Sequence, residues 1–136
     1  MIRVLIVDEQ KEVRKGLHMR LSIEPDMTVV GEAGHFEEAV ALAQRLAPNV
    51  IVIDIEMRDA GGANGVERLR AAAPKAAVVV LILRSDETTR SQAQQAGAAA
   101  FLEKSGGAAD LLQAIRRTGA CRFAQLGSAV TGPSAT

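Results

Sequence analysis

The sequence predicts an α/β fold, a doubly wound sheet of five parallel strands with a helix after each. Three observations carry this. Val50-Ile51-Val52-Ile53 is an unbroken β-branched run that reads as a strand covered on both faces, and it stops on Asp54. Val4-Leu5-Ile6-Val7 has the same grammar and stops on Asp8-Glu9. The rest of the chain alternates strand-like and helix-like segments to a total of five each. Right-handed crossovers and short connections then force parallel pairing with helices on both faces. A strand order of 2-1-3-4-5 sets the first and third strands side by side, so Asp8, Glu9 and Asp54 meet at the topological switch point.

Each element has its own signal. Ile2 to Val7 forms the first strand. Asp8-Glu9-Gln10 opens a helix that runs to about Ile23, with Val13, Leu17 and Leu21 at helical spacing, and Glu24-Pro25-Asp26 stops it. Met27 to Ala33 is a short second strand. The second helix runs from about Phe36 to Leu46, with Phe36, Val40 and Ala43 on one stripe, and Pro48-Asn49 leads into the central strand. The loop from Ile55 to Gly62 precedes a third helix near Ala63 to Ala73, which ends at Pro74. Val78 to Leu83 is a fully apolar fourth strand. Ser85-Asp86 caps a fourth helix that ends at Gly97, a left-handed stop. Ala99 to Leu102 is a short fifth strand ending near Glu103-Lys104, and about Gly107 to Arg117 is the last helix. From Thr118 the composition shifts to Gly, Ala, Ser, Thr and Pro, which reads as a tail or truncated linker over 119–136 behind a domain of residues 1–118.

Composition narrows the function classes. At 136 residues, 48% of them hydrophobic, the chain amounts to one domain with a real core. A formal net charge of zero gives no electrostatic footprint for nucleic acid or a membrane surface. No segment has the ~20 apolar residues of a membrane span, and the amino terminus lacks a signal-peptide layout, so the expected location is the cytoplasm. The lone Cys121 offers neither a disulfide nor a metal spacing. Three Phe without Trp or Tyr leave little for stacking on bases or a flavin.

The acidic corner is where chemistry is expected. Three carboxylates at one sheet edge raise each other's pKa and resist burial unless a cation neutralises them. A hard divalent ion with oxygen ligands is the natural neutraliser. Asp8-Glu9 also admits a bland reading, an acidic pair stabilised by the dipole of the helix that follows.

Three stretches together carry a resemblance: Val4 to Glu9, Val50 to Met57 (VIVIDIEM), and Ala96 to Lys104 (AGAAAFLEK). In this order and spacing the chain resembles the receiver domain of bacterial two-component response regulators, a flavodoxin-like fold, over roughly residues 1 to 118. Ala71-Ala72-Ala73-Pro74, and Ser105 rather than Pro after Lys104, resemble receivers that precede a LuxR-type helix-turn-helix domain. The resemblance implies that Asp54 is a phosphoacceptor for a histidine kinase. It implies that Glu9 and Asp54 hold Mg²⁺ (or Mn²⁺), that Asp8 acts mainly through metal-bound water, and that the backbone carbonyl of Glu56 completes the ligands. Lys104 pairs with the phosphoryl oxygens, and Phe101 matches a switch aromatic, although a Phe in this strand reads equally as plain core.

The pattern also has departures. Counting back from Gly97 places Ile82 where the family has Thr or Ser, so the hydroxyl that contacts the phosphoryl group is missing. Ser85 could replace it only through a local shift. Arg58 stands where a Pro usually follows Met57, and the glycine expected in that loop is Gly62, with Asn64-Gly65 as a substitute. Glu56 and Arg84 match two positions that tune hydrolysis, and their opposite signs suggest an ion pair, with Arg84 closing over the phosphoryl group. His18 and His35 carry no metal spacing. Arg14-Lys15-Arg20 and Arg116-Arg117 read as solvated helix faces, and the Met residues as core filler.

The first expectation is therefore a signalling receiver, not a metabolic enzyme, that assists its own phosphorylation and dephosphorylation. It switches an interaction or homodimer face around the fourth and fifth helices. No DNA-binding helix pair fits after residue 118, so the protein is either a single-domain regulator or has lost an output domain. The second expectation is a degenerate receiver that binds a protein partner without phosphate, favoured by Ile82 and opposed by Asp8, Glu9, Asp54 and Lys104. A flavin oxidoreductase on the same topology needs a phosphate-cradling loop after the first strand, where Asp8-Glu9 would repel phosphate.

Overall fold

The computed structural model describes residues 1–57, 63–83 and 86–131. The strands are β1 (Ile2–Val7), β2 (Met27–Ala33), β3 (Val50–Asp54), β4 (Ala77–Ile82) and β5 (Ala100–Glu103). They form one sheet in the order β2-β1-β3-β4-β5, every pair parallel. The helices are α1 (Lys11–Ser22), α2 (Phe36–Leu46), α3 (Ala63–Ala72), α4 (Glu87–Ala96) and α5 (Ala108–Thr131). The expected doubly wound architecture is the one found.

The unbroken apolar runs are explained by burial on both sides. Alternate residues Leu5, Val7, Ile51, Ile53, Val78, Val80 and Ile82 enter a core shared with α2, α3 and α4, centred on Phe36, Val66 and Leu69. The intervening Val4, Ile6, Val50, Val52, Val79 and Leu81 face a second core with Leu21 of α1 and Leu111, Leu112 and Ile115 of α5. A period of two thus gives both faces to hydrocarbon. The polar residue that ends each run is carried out to the carboxyl edge of the sheet.

Strands β4 and β5 are each shifted by one residue from the expected Val78–Leu83 and Ala99–Leu102, which leaves Leu83 exposed beyond β4, and three larger differences stand out. Helix α1 starts at Lys11, not Asp8, because Asp8 still belongs to the sheet: its N–H donates to the Ala33 carbonyl at 3.1 Å. A short 3-10 turn, Lys104–Gly106, follows β5, with Gly107 after it in the left-handed region at φ +89°. Helix α5 does not end near Arg117 but runs on to Thr131. The Thr118 hydroxyl donates back to the Ala114 carbonyl at 2.8 Å, and Gly119 is buried where a Cβ would stand 3.1 Å from the Ile2 side chain. A residue that reads as a linker glycine is a packing glycine.

Helix α4 follows expectation. The Asp86 carboxylate accepts the Thr89 N–H at 2.8 Å, and Gly97 stops the helix at φ +102°. Two Met residues, Met27 and Met57, are core filler, whereas Met1 and Met19 are exposed. Among the described residues no helix is long and apolar enough to cross a membrane.

Candidate functional site

Three strands of the sheet, β1, β3 and β5, deliver three charged side chains to one point. Asp54 is the last residue of β3 and Asp8 follows β1, its immediate neighbour in the sheet. Both carboxyl residues are almost wholly buried, at 1% exposure for Asp8 and 6% for Asp54. Lys104 follows β5, and its Nζ donates to Asp54 Oδ2 at 2.9 Å and to Asp8 Oδ2 at 3.1 Å. The other oxygen of each carboxylate accepts a main-chain N–H two residues on, Gln10 for Asp8 and Glu56 for Asp54, both at 2.9 Å. No buried side-chain polar atom among the described residues is left without a partner.

The electrostatics explain the arrangement. Two carboxylates at a sheet edge repel each other unless a cation lies between them. Burial works against the Lys104 ammonium, yet its hydrogen bonds to Asp54 and Asp8 outweigh that and hold its pKa above the ordinary lysine value. The pair of acids still exceeds the single base by one negative charge, which suits a further cation. Its donor set would be hard oxygen, as Mg²⁺ prefers. Among the described residues no three acidic or imidazole side chains stand together as a ready-made metal site. Asp8 and Asp54 are brought together, while Glu9 is exposed at the rim.

The remaining expected residues fall around this point. Glu56 is exposed, and its Oε1 accepts the Leu83 N–H at 2.7 Å, tying the loop after β3 to the end of β4. Arg84, Ser85, Arg58 and Gly62 lie outside the described residues, and so does the expected Glu56–Arg84 pair. Asn64 and Gly65 lie within α3. Ile82 ends β4 beside Glu103, the residue before Lys104, and its side chain is buried in the core. Phe101 is half-buried against the same core, with the Arg90 guanidinium 5.8 Å from its ring centroid.

A model of the response regulator receiver domain matches residues 4–116. The chain belongs to the response regulator receiver family. The receiver is 35% identical over 116 residues to the response regulator GacA of Pseudomonas viridiflava, a match covering 85% of this chain and 54% of that protein. It is 32% identical over 117 residues to the response regulator protein VraR of Staphylococcus aureus, covering 86% and 56%. The chain thus spans about half the length of the curated relatives it matches. Among solved structures, the response regulator domain of Thermotoga maritima CheB superposes with a TM-score of 0.80 at 33% identity, covering 88% of this chain and 96% of that one. A LuxR-family two-component response regulator from Aurantimonas sp. SI85-9A1 does so with a TM-score of 0.83 at 28% identity, covering 90% and 87%. The family resemblance read in the sequence, including its LuxR-type character, is borne out. Receivers of this family are signalling proteins of two-component systems rather than metabolic enzymes.

Several residues of this receiver do more than the sequence reading gave them. Arg14 is not simply on a solvated face: its guanidinium donates to the Asp8 carbonyl at 2.8 Å. Arg20 pairs with Glu24 at 3.0 Å. Arg116 contacts Asp26 at 2.8 Å and also binds Glu24. Those bonds hold the Asp26 and Glu24 carboxyls below their ordinary pKa. His18 contacts Glu32. The Arg20–Glu24 pair is a local i,i+4 contact, whereas Arg116 reaches Asp26 across 90 residues, a pairing that no local pattern announces.

Proposed function

We propose that this receiver accepts a phosphoryl group on Asp54 from the phosphohistidine of a histidine kinase. The observation that carries the reading is the Lys104 ammonium held between the buried Asp8 and Asp54 carboxylates, 3.1 and 2.9 Å away. An Asp54 oxygen attacks phosphorus, the P–N bond to the kinase imidazole breaks, and an acyl phosphate forms. Lys104 follows the negative charge onto the phosphoryl oxygens, which suits a point charge on a flexible stem. When bound, Mg²⁺ (or Mn²⁺) supplies charge compensation for the transferring group; Asp8, Glu9, Asp54 and the Glu56 carbonyl would hold it.

The kinase segment is assigned to the face between α1 and α5, on the Lys104 side of the acidic corner. A groove of about 770 Å³ opens next to Lys104, with Leu17 and Arg20 of α1 and Leu111 of α5 along it. Glu56, with Arg84, is assigned to tuning hydrolysis of the phosphoryl group. Ile82 offers no hydroxyl to the phosphoryl group, so the response travels through the loop after β4 and through Phe101 without that hydrogen bond. The domain is assigned to residues 1–118, with a homodimer through the α4–α5 region and a DNA-binding output domain as candidate partners. The intact Lys104 bridge argues against the phosphate-independent alternative.

Mass spectrometry after incubation with acetyl phosphate and Mg²⁺ tests the reading. The expected result is a gain of one phosphoryl group, lost in Asp54→Asn and lost when Mg²⁺ is chelated. No gain under conditions that label an ordinary receiver would overturn it.

A further inference from the structure

The turn that presents Asp8 and Glu9 is built without the usual helix cap. Gln10, at the N-cap position of α1, makes no side-chain capping bond. The turn is held instead by Asp8 itself, through its N–H to Ala33 and its Oδ1 to Gln10, and by one bond from within the helix, Arg14 to the Asp8 carbonyl. That third bond fixes the plane of the Asp8–Glu9 peptide. The two acidic side chains branch from either side of this plane, so its rotation would swing one relative to the other. Arg14 is itself held: Glu32 Oε1 lies 3.6 Å from its Nε, and the other Glu32 oxygen contacts His18. Gly34 leaves the space, since a Cβ there would stand 2.8 Å from the guanidinium.

We propose that Arg14 is a positioning residue for the metal-binding turn, held by Glu32 and admitted by Gly34. It sets the Asp8–Glu9 peptide so that both carboxylates address one cation. The inference rests on the function proposed above, and it identifies a control that acts through the Asp8 carbonyl and touches neither carboxylate of the acidic corner. Outer partners of this kind change metal affinity without touching the metal.

The test compares wild type, Arg14→Gln, Arg14→Lys and Gly34→Ala. Mn²⁺ binding, read by electron paramagnetic resonance, is expected to weaken about tenfold in Arg14→Gln. Arg14→Lys should recover part of this, because it restores a charge without the planar fork. Gly34→Ala leaves Arg14 in place chemically but displaces its guanidinium, and should shift affinity in the same direction. In metal-free protein the Gln10 amide should exchange about fivefold faster in Arg14→Gln, while the amide of Val52 in β3 is unaffected. Unchanged Gln10 exchange with unchanged Mn²⁺ affinity would overturn the proposal, and so would equal acceleration at Val52, which marks general loosening. If wild type binds no Mn²⁺, the proposed function falls, while Gln10 exchange still decides the role of Arg14.

Discussion

Replacing Lys104 by Met keeps the length of the side chain and removes the charge between two buried carboxylates. At an effective dielectric of 20, contacts of 2.9 and 3.1 Å are each worth about 5–6 kcal/mol of gross attraction. The net loss is far smaller, because the variant can escape by protonating one acid. For a carboxyl that ionises near 3.9 in water, this costs about 4 kcal/mol at pH 7 and about 1.5 kcal/mol at pH 5. The wild type also bears the desolvation of the ammonium, which the variant avoids. Lys104→Met should therefore destabilise the metal-free domain by about 2–4 kcal/mol at pH 7 and by about 1 kcal/mol at pH 5. The opposite end of the pH scale gives a second sign. A lysine whose folded pKa is raised contributes fully below about 10.5 and loses that contribution as pH rises through the folded value, so wild type and variant should converge in strong alkali. Urea unfolding with a chelator present measures the difference. Far-ultraviolet ellipticity is the probe, because the chain has neither Trp nor Tyr. A loss below about 0.5 kcal/mol at pH 7, or an equal loss at both pH values, would refute the reasoning.

Three further outcomes follow from other parts of the fold. Gly97→Ala forces a side chain to φ +102° and sets its Cβ against Arg70, so thermal unfolding should show a loss of about 1–3 kcal/mol; no loss would mean the turn relaxes freely. In Arg116→Ala the Asp26 and Glu24 carboxyls should titrate closer to their ordinary values by NMR. Their lowered folded pKa values mean that stability from this cluster is present above about pH 4 and lost on acidification, so wild type and variant should converge toward pH 2. Ile82→Thr places a hydroxyl in a buried apolar position and should cost about 1–2 kcal/mol in urea unfolding, a cost that phosphorylation should reduce if the hydroxyl finds the phosphoryl group.

What was legible in the sequence, and what was not, follows from the range of the interactions. The strands were legible because both faces are buried, which leaves runs such as Val50 to Ile53 with no polar residue to blur them. Asp8 and Asp54 were legible for the same reason, since each ends such a run, whereas Lys104 follows a half-exposed edge strand and was legible only through the family resemblance of AGAAAFLEK. The grip of Arg14 on the Asp8 carbonyl was not, because a basic residue one turn into a helix looks the same whether it meets water or a strand end. Gly34, small where the guanidinium needs room, was the only available hint. Arg116 reaches Asp26 across 90 residues, a pairing that only the closed sheet creates. The extent of α5 was hidden by Gly119 and Gly127, which weigh toward a linker, whereas Ala120, Ala124 and Ala129 weigh toward helix. Packing of Gly119 against Ile2 favours the helix.

The residues gathered at the sheet edge, Asp8, Asp54 and Lys104, are separated by 96 positions from first to last. No short fragment of the chain holds Asp8, Asp54 and Lys104 together, and an isolated peptide around Asp54 is an ordinary aspartyl peptide. Under the function proposed here, the capacity to record a signal therefore belongs to the closed sheet alone. On that reading a nascent or misfolded chain would offer a kinase no assembled acceptor, and the response would count only finished molecules.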